Sequence, residues 1–370
     1  MAERPAPLVL VVAPSQDPPF GSYAAVSAAG QQLLAAELSQ RFAGLGAAVA
    51  PLRAERAETF HWGAWFVAGA RAALTAGAAD TLGYAGAGSL ALLADSHLDE
   101  LLSPRAGEVV ANNRFSADAF VVAGDLELAL GALQGCSSDN AAARCLGSAG
   151  FEVRDLSAAP FSRFDVDTAL DLAILRVATR LPGSRPLTPG LARFLEMARL
   201  PGGRALEVPR LADIGAVMRD RGAELVVSGR VPADAWLYLE RETACRVRCF
   251  IEERGMRSAR GARPRSLLAA LLARSSPAEL VAELSRLGDA VVLDSRVLMA
   301  ARAGSAQASA WPPEEDRFAS DFGDASRIGT DWLHELVEAA TAAPVPWLMG
   351  GHALVSDGLR LLVDAAWQGH

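Results

Sequence analysis

The chain contains no lysine, because all 35 of its basic residues are arginine. This absence excludes a Walker A phosphate loop, a pyridoxal Schiff base and a lysine general base, each of which needs a lysine amine. Long apolar runs are missing as well. No stretch reaches the roughly eighteen apolar residues that a membrane-spanning helix requires. The first seven residues also lack the basic start and the cleavage site of a secretion signal, so we expect a cytoplasmic protein with no membrane partner.

The chain also has no large cluster of basic residues and few cysteines. The net charge is −8, which argues against nucleic acid as a partner. The densest basic run, between residues 254 and 265, is interleaved with Gly and Ser; it predicts a solvated loop, with an anion-gathering loop as the alternative. The four cysteines form no C-x-x-C pair and have no histidine near them in sequence. We therefore expect buried thiols rather than a zinc site.

The length and composition allow two hydrophobic cores. Hydrophobic residues make up 51% of the 370 residues, and strand-like runs alternate with helix-like periodicity throughout the chain. Residues 181–190 are rich in Pro and Gly, which is typical of a linker. The sequence therefore predicts an α/β protein with one domain over residues 1–182 and a second α/β domain over residues 190–370.

A short acidic segment, residues 164–167, gives the clearest functional signal. Phe164 and Val166 alternate with Asp165 and Asp167, so in an extended chain both carboxylates share one face. We interpret the segment as the tip of a strand that leads into a helix. Thr168 and Asp171, three residues apart, predict a capping box at the start of that helix. Two carboxylates at a strand tip, above a helix N-terminus, can hold a Mg²⁺ ion and a phosphate beside it.

This segment also carries a family resemblance. The run Asp-Val-Asp-Thr-x-x-Asp-Leu, from Asp165, resembles the closing motif of nucleotidyltransferases with the GT-A-like fold, such as molybdenum cofactor guanylyltransferases and 2-phospholactate guanylyltransferases. Residues 139–144 and 150–153 are similar to the helix and strand before that motif. The resemblance covers residues 80–180 and implies a Rossmann-like three-layer sandwich. It also implies that Asp165 and Asp167 bind the catalytic magnesium, and Arg163 beside them is a candidate substrate-binding residue.

A Gly-rich loop, residues 83–89, follows a predicted strand. Glycine lets a base or a phosphate approach the backbone closely, although a plain turn has the same composition. The resemblance implies that this loop contacts the nucleobase through Gly86, Gly88 and Ser89. The Asp-x-Pro that the family has here is absent, and Asp95 is a poor substitute for its acid.

A second polar stretch lies between two predicted strands. It contains Asn112, Asn113, Ser116 and Asp118, with Arg114 as a possible donor to an anion. The phospholactate enzymes resemble it with a Thr-Asn segment that lines the acceptor site. The alternative is an Asn-Asn turn, since asparagine tolerates left-handed backbone angles.

In the second half of the chain, one pattern suggests a ligand pocket. A predicted strand ends in Gly-Gly-His352 and a helix follows. The glycines allow close approach, and the imidazole of His352 can donate or accept a proton. A histidine whose ring is hydrogen-bonded within the protein at a tight turn explains the pattern equally well.

Together these features predict a Mg²⁺-dependent nucleotidyltransferase-like protein. It would move a nucleoside monophosphate from a nucleoside triphosphate to a phosphorylated or carboxylated small molecule. Residues 14–22, where the family has a Gly-Arg-Lys loop, contain three Pro, one Gly and no basic residue. Two alternatives therefore stay open: a nucleotide-sugar glycosyltransferase on the same fold, and a catalytically inactive nucleotide-binding protein. The oligomeric state is open as well, with a homodimer as one arrangement.

Overall fold

The chain folds as an α/β protein with two sheets, and about half of its residues are helical. The computed structural model describes residues 5–13, 18–53, 60–77, 79–156, 159, 161–253, 264–305 and 307–368. The chain divides into two compact units. Unit 1 comprises Met1–Asp17, Ala28–Asp167 and Arg185–Phe194, and unit 2 comprises Pro18–Ser27, Thr168–Ser184 and Leu195–His370.

Unit 1 is built on a mixed sheet of six strands. In chain order they are β1 (Leu8–Ala13), β2 (Ala48–Arg53), β3 (Thr81–Ala85), β4 (Glu108–Ala111), β5 (Ala119–Ala123) and β6 (Glu152–Asp155). Their spatial order is β2-β1-β3-β5-β4-β6. Only β5 is reversed, because it pairs antiparallel with both β3 and β4. The beginning of β5 therefore lies at the same edge of the sheet as the ends of β3 and β4.

Hydrophobic cores cover both faces of this sheet. Along β1, Leu8 and Leu10 pack into one core and Val9 and Val11 into the other, as the two-residue period of a strand requires. The helices that contribute to these cores are α1 (Tyr23–Gly44, whose residues 23–27 belong to unit 2), α2 (Trp62–Ala76), α3 (Asp95–Leu101), α4 (Leu126–Gln134) and α5 (Ala142–Ser148). Strands β3, β4 and β5 are buried along their whole length, which explains their nearly continuous apolar sequences.

Unit 2 is built on a parallel sheet of four strands. They are β7 (Glu224–Gly229), β8 (Arg246–Ile251), β9 (Ala290–Asp294) and β10 (Trp347–Gly350), in the spatial order β10-β9-β7-β8. The remaining helices are α6 (Ala169–Ala178), α7 (Pro189–Met197, which extends from unit 1 into unit 2), α8 (Leu211–Arg219), α9 (Ala233–Glu242), α10 (Leu267–Leu272), α11 (Pro277–Ser285), α12 (Ser295–Ala303), α13 (Glu314–Asp321), α14 (Asp331–Ala342) and α15 (Leu359–Trp367). A π-helical turn, Leu354–Gly358, precedes α15.

None of the described helices could cross a membrane. The longest, α1, has 22 residues, which would be long enough, but it contains Glu37 and Arg41 and several small polar residues. This finding agrees with the absence of long apolar runs in the sequence.

The cysteines differ in part from the expectation of four buried thiols. The sulfur atoms of Cys136 and Cys145 are bonded to each other, with their Cα atoms 6.9 Å apart. Cys245 is a buried free thiol and Cys249 is a half-buried one. The pairing joins the end of α4 to α5, a contact that the nine-residue separation alone did not reveal.

Candidate functional site

Polar residues from three strands meet at one edge of the unit 1 sheet. Gly86 follows β3, Asn112 follows β4, and Asp118 precedes the reversed strand β5. The Gly86 N–H donates to the Asp118 carbonyl over 2.9 Å, and the Asn112 N–H donates to the Ala119 carbonyl over 3.0 Å. The reversal of β5 thus brings together residues that the sequence analysis assigned to separate clusters.

The buried Asn112 side chain holds this edge together. Its Oδ1 atom accepts hydrogen bonds from the backbone N–H groups of Asp118 and Ala119, both over 3.0 Å. Its Nδ2 atom donates to the Ser162 carbonyl over 3.0 Å and to Asp118 Oδ2 over 3.3 Å. The side-chain amide of Asn112 therefore fixes the position of Asp118.

The other residues of this polar stretch form the rim of the site. Asn113 is buried, and its Oδ1 atom accepts from the Phe115 N–H over 3.1 Å, which closes a turn. Ser116 donates its hydroxyl to Asn140, which follows β5 and α4 in the chain. Phe115 itself is 65% exposed, although it is a large aromatic residue. Arg114 lies 3.5 Å from Asp155 at the end of β6.

The Gly-rich loop contacts the acidic segment. A Cβ atom at Gly88 would lie 2.3 Å from the Val166 carbonyl oxygen and 2.8 Å from Asp165 Oδ1, and the Val166 N–H donates to the Gly88 carbonyl over 3.1 Å. Ser89 is buried and donates its hydroxyl to the Gly86 carbonyl over 2.8 Å, so it closes the loop on itself. The close approach at Gly88 therefore serves the acidic segment, whereas the sequence analysis assigned it to a nucleobase.

The acidic segment is extended but is not part of a strand. Residues 164–167 pair with no neighbouring strand of the described sheet, so the predicted strand tip is wrong. The predicted alternation is present, because Phe164 and Val166 are buried, Asp165 is half-buried and Asp167 is exposed. Gln31 of α1 donates to the Val166 carbonyl over 2.8 Å and anchors the segment.

The capping box after the acidic segment is confirmed. The Thr168 hydroxyl accepts from the Asp171 N–H over 3.2 Å, and the Asp171 carboxylate accepts from the Thr168 N–H over 2.9 Å. Both residues are buried at the start of α6. Their side chains therefore fix where the helix begins, as capping alone requires.

The sequence analysis did not identify Asp139 as a residue of this site. Asp139 follows α4 and accepts a hydrogen bond from the Tyr84 hydroxyl over 3.0 Å. Burial, reinforced by the carboxylates of Asp139 and Asp167, raises the pKa of Asp118 to about 7. Burial also raises the pKa of Asp139. Acidic groups thus gather at this edge, and Asp118 holds a proton for part of the time at neutral pH.

The acidic groups fit a metal only in a limited way. No three His, Cys, Asp or Glu side chains among the described residues converge on one point that could hold an ion. Mg²⁺ typically uses one or two protein carboxylates and takes its remaining ligands from water and substrate phosphates. Among the described residues, Asp165 and Asp167 therefore belong to no closed protein cage, and two carboxylates are within the number that a Mg²⁺ site typically takes from a protein.

The remaining predicted features lie elsewhere. Arg163 is half-buried and directly precedes the acidic segment. His352 belongs to unit 2, where it follows β10. Residues 14–17 of the predicted nucleotide loop, and most of the basic run between residues 254 and 265, lie outside the described residues.

Neither a protein-family model, nor a curated protein, nor a solved structure matches this chain.

Proposed function

We propose that unit 1 binds a nucleotide with Mg²⁺ and transfers its nucleoside monophosphate to a phosphorylated or carboxylated small molecule. The observation that carries this proposal is the contact between Gly88 and Asp165. It holds a carboxylate against a Gly-rich loop at the carboxyl edge of the sheet, where ligands bind in open α/β sheets. The resemblance of the acidic segment to the closing motif of GT-A-like nucleotidyltransferases supports the same activity, as does a mixed sheet with cores on both faces.

In this proposal, Asp165 and Asp167 would hold a Mg²⁺ ion, which would supply neutralisation of the negative charge on the nucleotide phosphates. An oxygen of the acceptor attacks the α-phosphorus of the triphosphate, the new P–O bond forms, and the bond to the β-phosphate breaks and releases pyrophosphate. An acceptor phosphate or carboxylate is already deprotonated, so this step needs no general base.

Asp118 explains how an anionic acceptor could approach an acidic edge. A fully ionised Asp118 would repel a phosphate or a carboxylate. Because its pKa is raised to about 7, the protonated form is available at neutral pH and can donate a hydrogen bond to the acceptor.

One observation favours a glycosyltransferase as the second candidate. The described part of the predicted nucleotide loop, residues 18–22, contains two Pro and no basic residue. Proline has no N–H group to offer a phosphate, so this loop suits a triphosphate poorly. A nucleotide-sugar carries one phosphate fewer. An inactive binding protein on the same fold is the third candidate.

Thermal unfolding with ligands separates these candidates. A ligand at about 100 times its dissociation constant stabilises a protein by roughly 2.7 kcal/mol, which shifts the melting temperature measurably. Stabilisation by nucleoside triphosphate that depends on Mg²⁺ supports nucleotidyl transfer, and stabilisation by nucleotide-sugars supports glycosyl transfer. Binding of a nucleotide without turnover, measured as absent release of pyrophosphate or sugar, supports the inactive protein.

The matched variants are Asp165→Asn and Asp99→Asn. Asp165→Asn removes one proposed magnesium ligand and should abolish the Mg²⁺-dependent part of the shift. Asp99 is an exposed acid of α3, so Asp99→Asn should leave the shift unchanged. An equal shift in both variants would contradict the proposed metal ligands.

A further inference from the structure

The carboxyl edge of the unit 2 sheet contains a second charged site. Strand β8 lies on one side of β7, whereas β9 and β10 lie on the other, so the strand order reverses between β7 and β9. In parallel sheets the loops that follow two such strands diverge, and ligands bind in the crevice between them. Arg230 directly follows β7 and Asp294 is the last residue of β9. Both residues therefore lie where this fold class binds its ligands.

Arg230 and Asp294 form a tightly oriented pair. Asp294 is fully buried and accepts from Arg230 Nε over 2.6 Å and from Arg230 Nη2 over 3.0 Å. It also accepts from the backbone N–H groups of Arg230 and Arg296, over 3.3 Å and 3.2 Å. These four bonds satisfy the carboxylate and fix the plane of the guanidinium.

The guanidinium keeps donor capacity after this pairing. Its third nitrogen, Nη1, donates to no acceptor within the described parts of the chain, and 13% of the Arg230 side chain is exposed. A buried carboxylate on one side and an open edge on the other is the arrangement that orients an arginine toward an external anion.

The backbone at Gly229 is specialised for this pair. Its φ is +134°, and a Cβ atom there would lie 2.2 Å from the Asp294 Cβ. Only glycine permits that approach. The close contact between the ends of β7 and β9 therefore requires glycine at residue 229.

Other groups around the crevice also favour an anion. Helix α9 begins three residues after Arg230 and runs for ten residues, and the N-terminus of a helix favours an anion. Asp234 in that turn lies 3.9 Å from Arg360, which also pairs with Asp357 over 3.2 Å. His352 is near enough to Asp294 for its positive form to help lower the pKa of that carboxyl, in addition to the larger effect of Arg230.

The remaining charges nearby are already paired. Arg296 and Asp321 are both buried and form two parallel hydrogen bonds of 2.6 Å. The π-helical turn Leu354–Gly358 follows His352, and such turns recur at functional sites. Arg230 is paired as well, but it differs from Arg296 because its Nη1 donates to no acceptor among the described residues.

We propose that Arg230 binds the phosphate group of a small phosphorylated molecule at this strand reversal, with Asp294 as the positioning residue that orients its guanidinium. Phosphate suits the site better than a carboxylate, because its three terminal oxygens can meet a guanidinium edge and helix N–H groups at once. This ligand site lies outside the residues of the function proposed for unit 1.

Calorimetric titration of the full chain with inorganic phosphate tests the proposal. The titration uses constant ionic strength and contains no nucleotide or Mg²⁺. The key variant is the double change Arg230→Gln with Asp294→Asn, because removing arginine alone would leave a buried carboxylate without a partner. We expect this double variant to bind phosphate about tenfold more weakly, or worse, because it lacks a charge-assisted bidentate contact. Arg230→Lys, which keeps the charge but not the planar fork, should bind with intermediate affinity.

Three controls make the result decisive. Arg248 is a 43% exposed arginine of β8 that pairs with Glu224, so Arg248→Gln should bind phosphate like the wild type. Asp165→Asn, which tests the function proposed for unit 1, should also leave phosphate binding unchanged. Circular dichroism and thermal melting establish that the double variant folds.

The proposal is overturned by any of three results. These are equal phosphate affinity in the wild type and the folded double variant, no binding by the wild type up to about 10 mM phosphate, or acetate binding as tight as phosphate binding. Loss of phosphate binding in Asp165→Asn but not in the double variant would assign the anion to unit 1 and would also overturn it.

Discussion

Residue 88 and Asp165 approach each other so closely that only glycine fits at residue 88. An added Cβ atom would lie 2.8 Å from Asp165 Oδ1 and 2.3 Å from the carbonyl oxygen of Val166. The Val166 N–H donates to the Gly88 carbonyl across the same contact. The Gly-rich loop and the acidic segment therefore behave as one structural element, and the position of the carboxylate depends on a residue without a side chain.

Gly88→Ala should displace the acidic segment. The nearest atom to the new methyl group is backbone, which cannot rotate away, so we expect a loss of about 1–3 kcal/mol in the stability of unit 1, as for other overpacked sites. Hydrogen exchange of the strand amides in unit 1 measures this unit by itself. The Mg²⁺-dependent nucleotide shift should fall with it.

Gly131→Ala is the matched control for that substitution. Gly131 is an exposed residue inside α4 with no atom within 4 Å of an added Cβ. Alanine favours a helix over glycine, so this variant should gain about 0.5–1 kcal/mol. Equal protection from exchange in Gly88→Ala and in the wild type would contradict the contact with Asp165.

Asn112→Ala should loosen the edge of the sheet where Asp118 lies. It removes one acceptor for two backbone N–H groups and one donor to the Ser162 carbonyl. Leaving buried groups unsatisfied costs about 1–3 kcal/mol. Faster exchange of the Asp118 and Ala119 amides is the specific measurement. Asn140→Ala, at an exposed position, should leave these two amides protected.

Local features of this molecule could be predicted because local chemistry determines them. The capping box needs only Thr168 and Asp171, three residues apart, and it is present as predicted. The cap of α4 at Asp125 likewise follows from its side chain, which accepts from the Leu128 N–H. The burial of Phe164 and Val166 follows from alternation, even though the segment is not a strand.

Contacts between distant parts of the chain could not be predicted in the same way. The reversal of β5 leaves no mark in its sequence, since a buried strand has the same apolar composition in either direction. Without that reversal, Asp118 would lie at the other edge of the sheet. The hydrogen bond between Tyr84 and Asp139 joins residues that are 55 positions apart in the sequence. The ion pair of Arg230 and Asp294 joins residues that are 64 positions apart. The run Ser-Gly-Arg, in which Ser228 and Gly229 end β7 and Arg230 follows it, is a sequence signal that could have drawn attention to Arg230.

Residues 185–194 should stabilise unit 1 through a buried ion pair. Glu37 of α1 is 2% exposed; it accepts from Arg185 and from the N–H and hydroxyl groups of Thr188, both over 2.9 Å. Arg185→Met leaves a buried carboxylate without its cation, which costs about 3–5 kcal/mol. Exchange of the α1 amides reports the loss.

An exposed ion pair of the same unit is the control for that variant. Arg71 lies 2.7 Å from Glu127, and more than half of each side chain is exposed. Arg71→Met should cost less than about 1 kcal/mol. The double variant Glu37→Gln with Arg185→Met should recover part of the loss, because it removes the charge that was left alone. A loss no larger in Arg185→Met than in Arg71→Met would show that the ion pair contributes little.

Asp118 should make the stability of unit 1 fall as the pH rises. Its ordinary pKa is 3.8, and burial together with the carboxylates of Asp139 and Asp167 raises it to about 7 in the folded chain. Between these two values the folded state keeps a proton that the unfolded state has lost. The proton on Asp118 therefore makes its full contribution to the stability of the folded state below about pH 4, and this contribution is lost as the pH rises toward about 7.

Asp118→Asn tests this sign directly, because asparagine cannot ionise. Relative to the wild type, the variant should become progressively more stable from about pH 4 to about pH 7, since each unit of pKa difference is worth about 1.4 kcal/mol. Asp125→Asn, at the exposed cap of α4, should run parallel to the wild type, since asparagine caps as well as aspartate. If Asp118→Asn also ran parallel, Asp118 would be ionised throughout this range. A protonated Asp118 could then have no part in receiving an anionic acceptor.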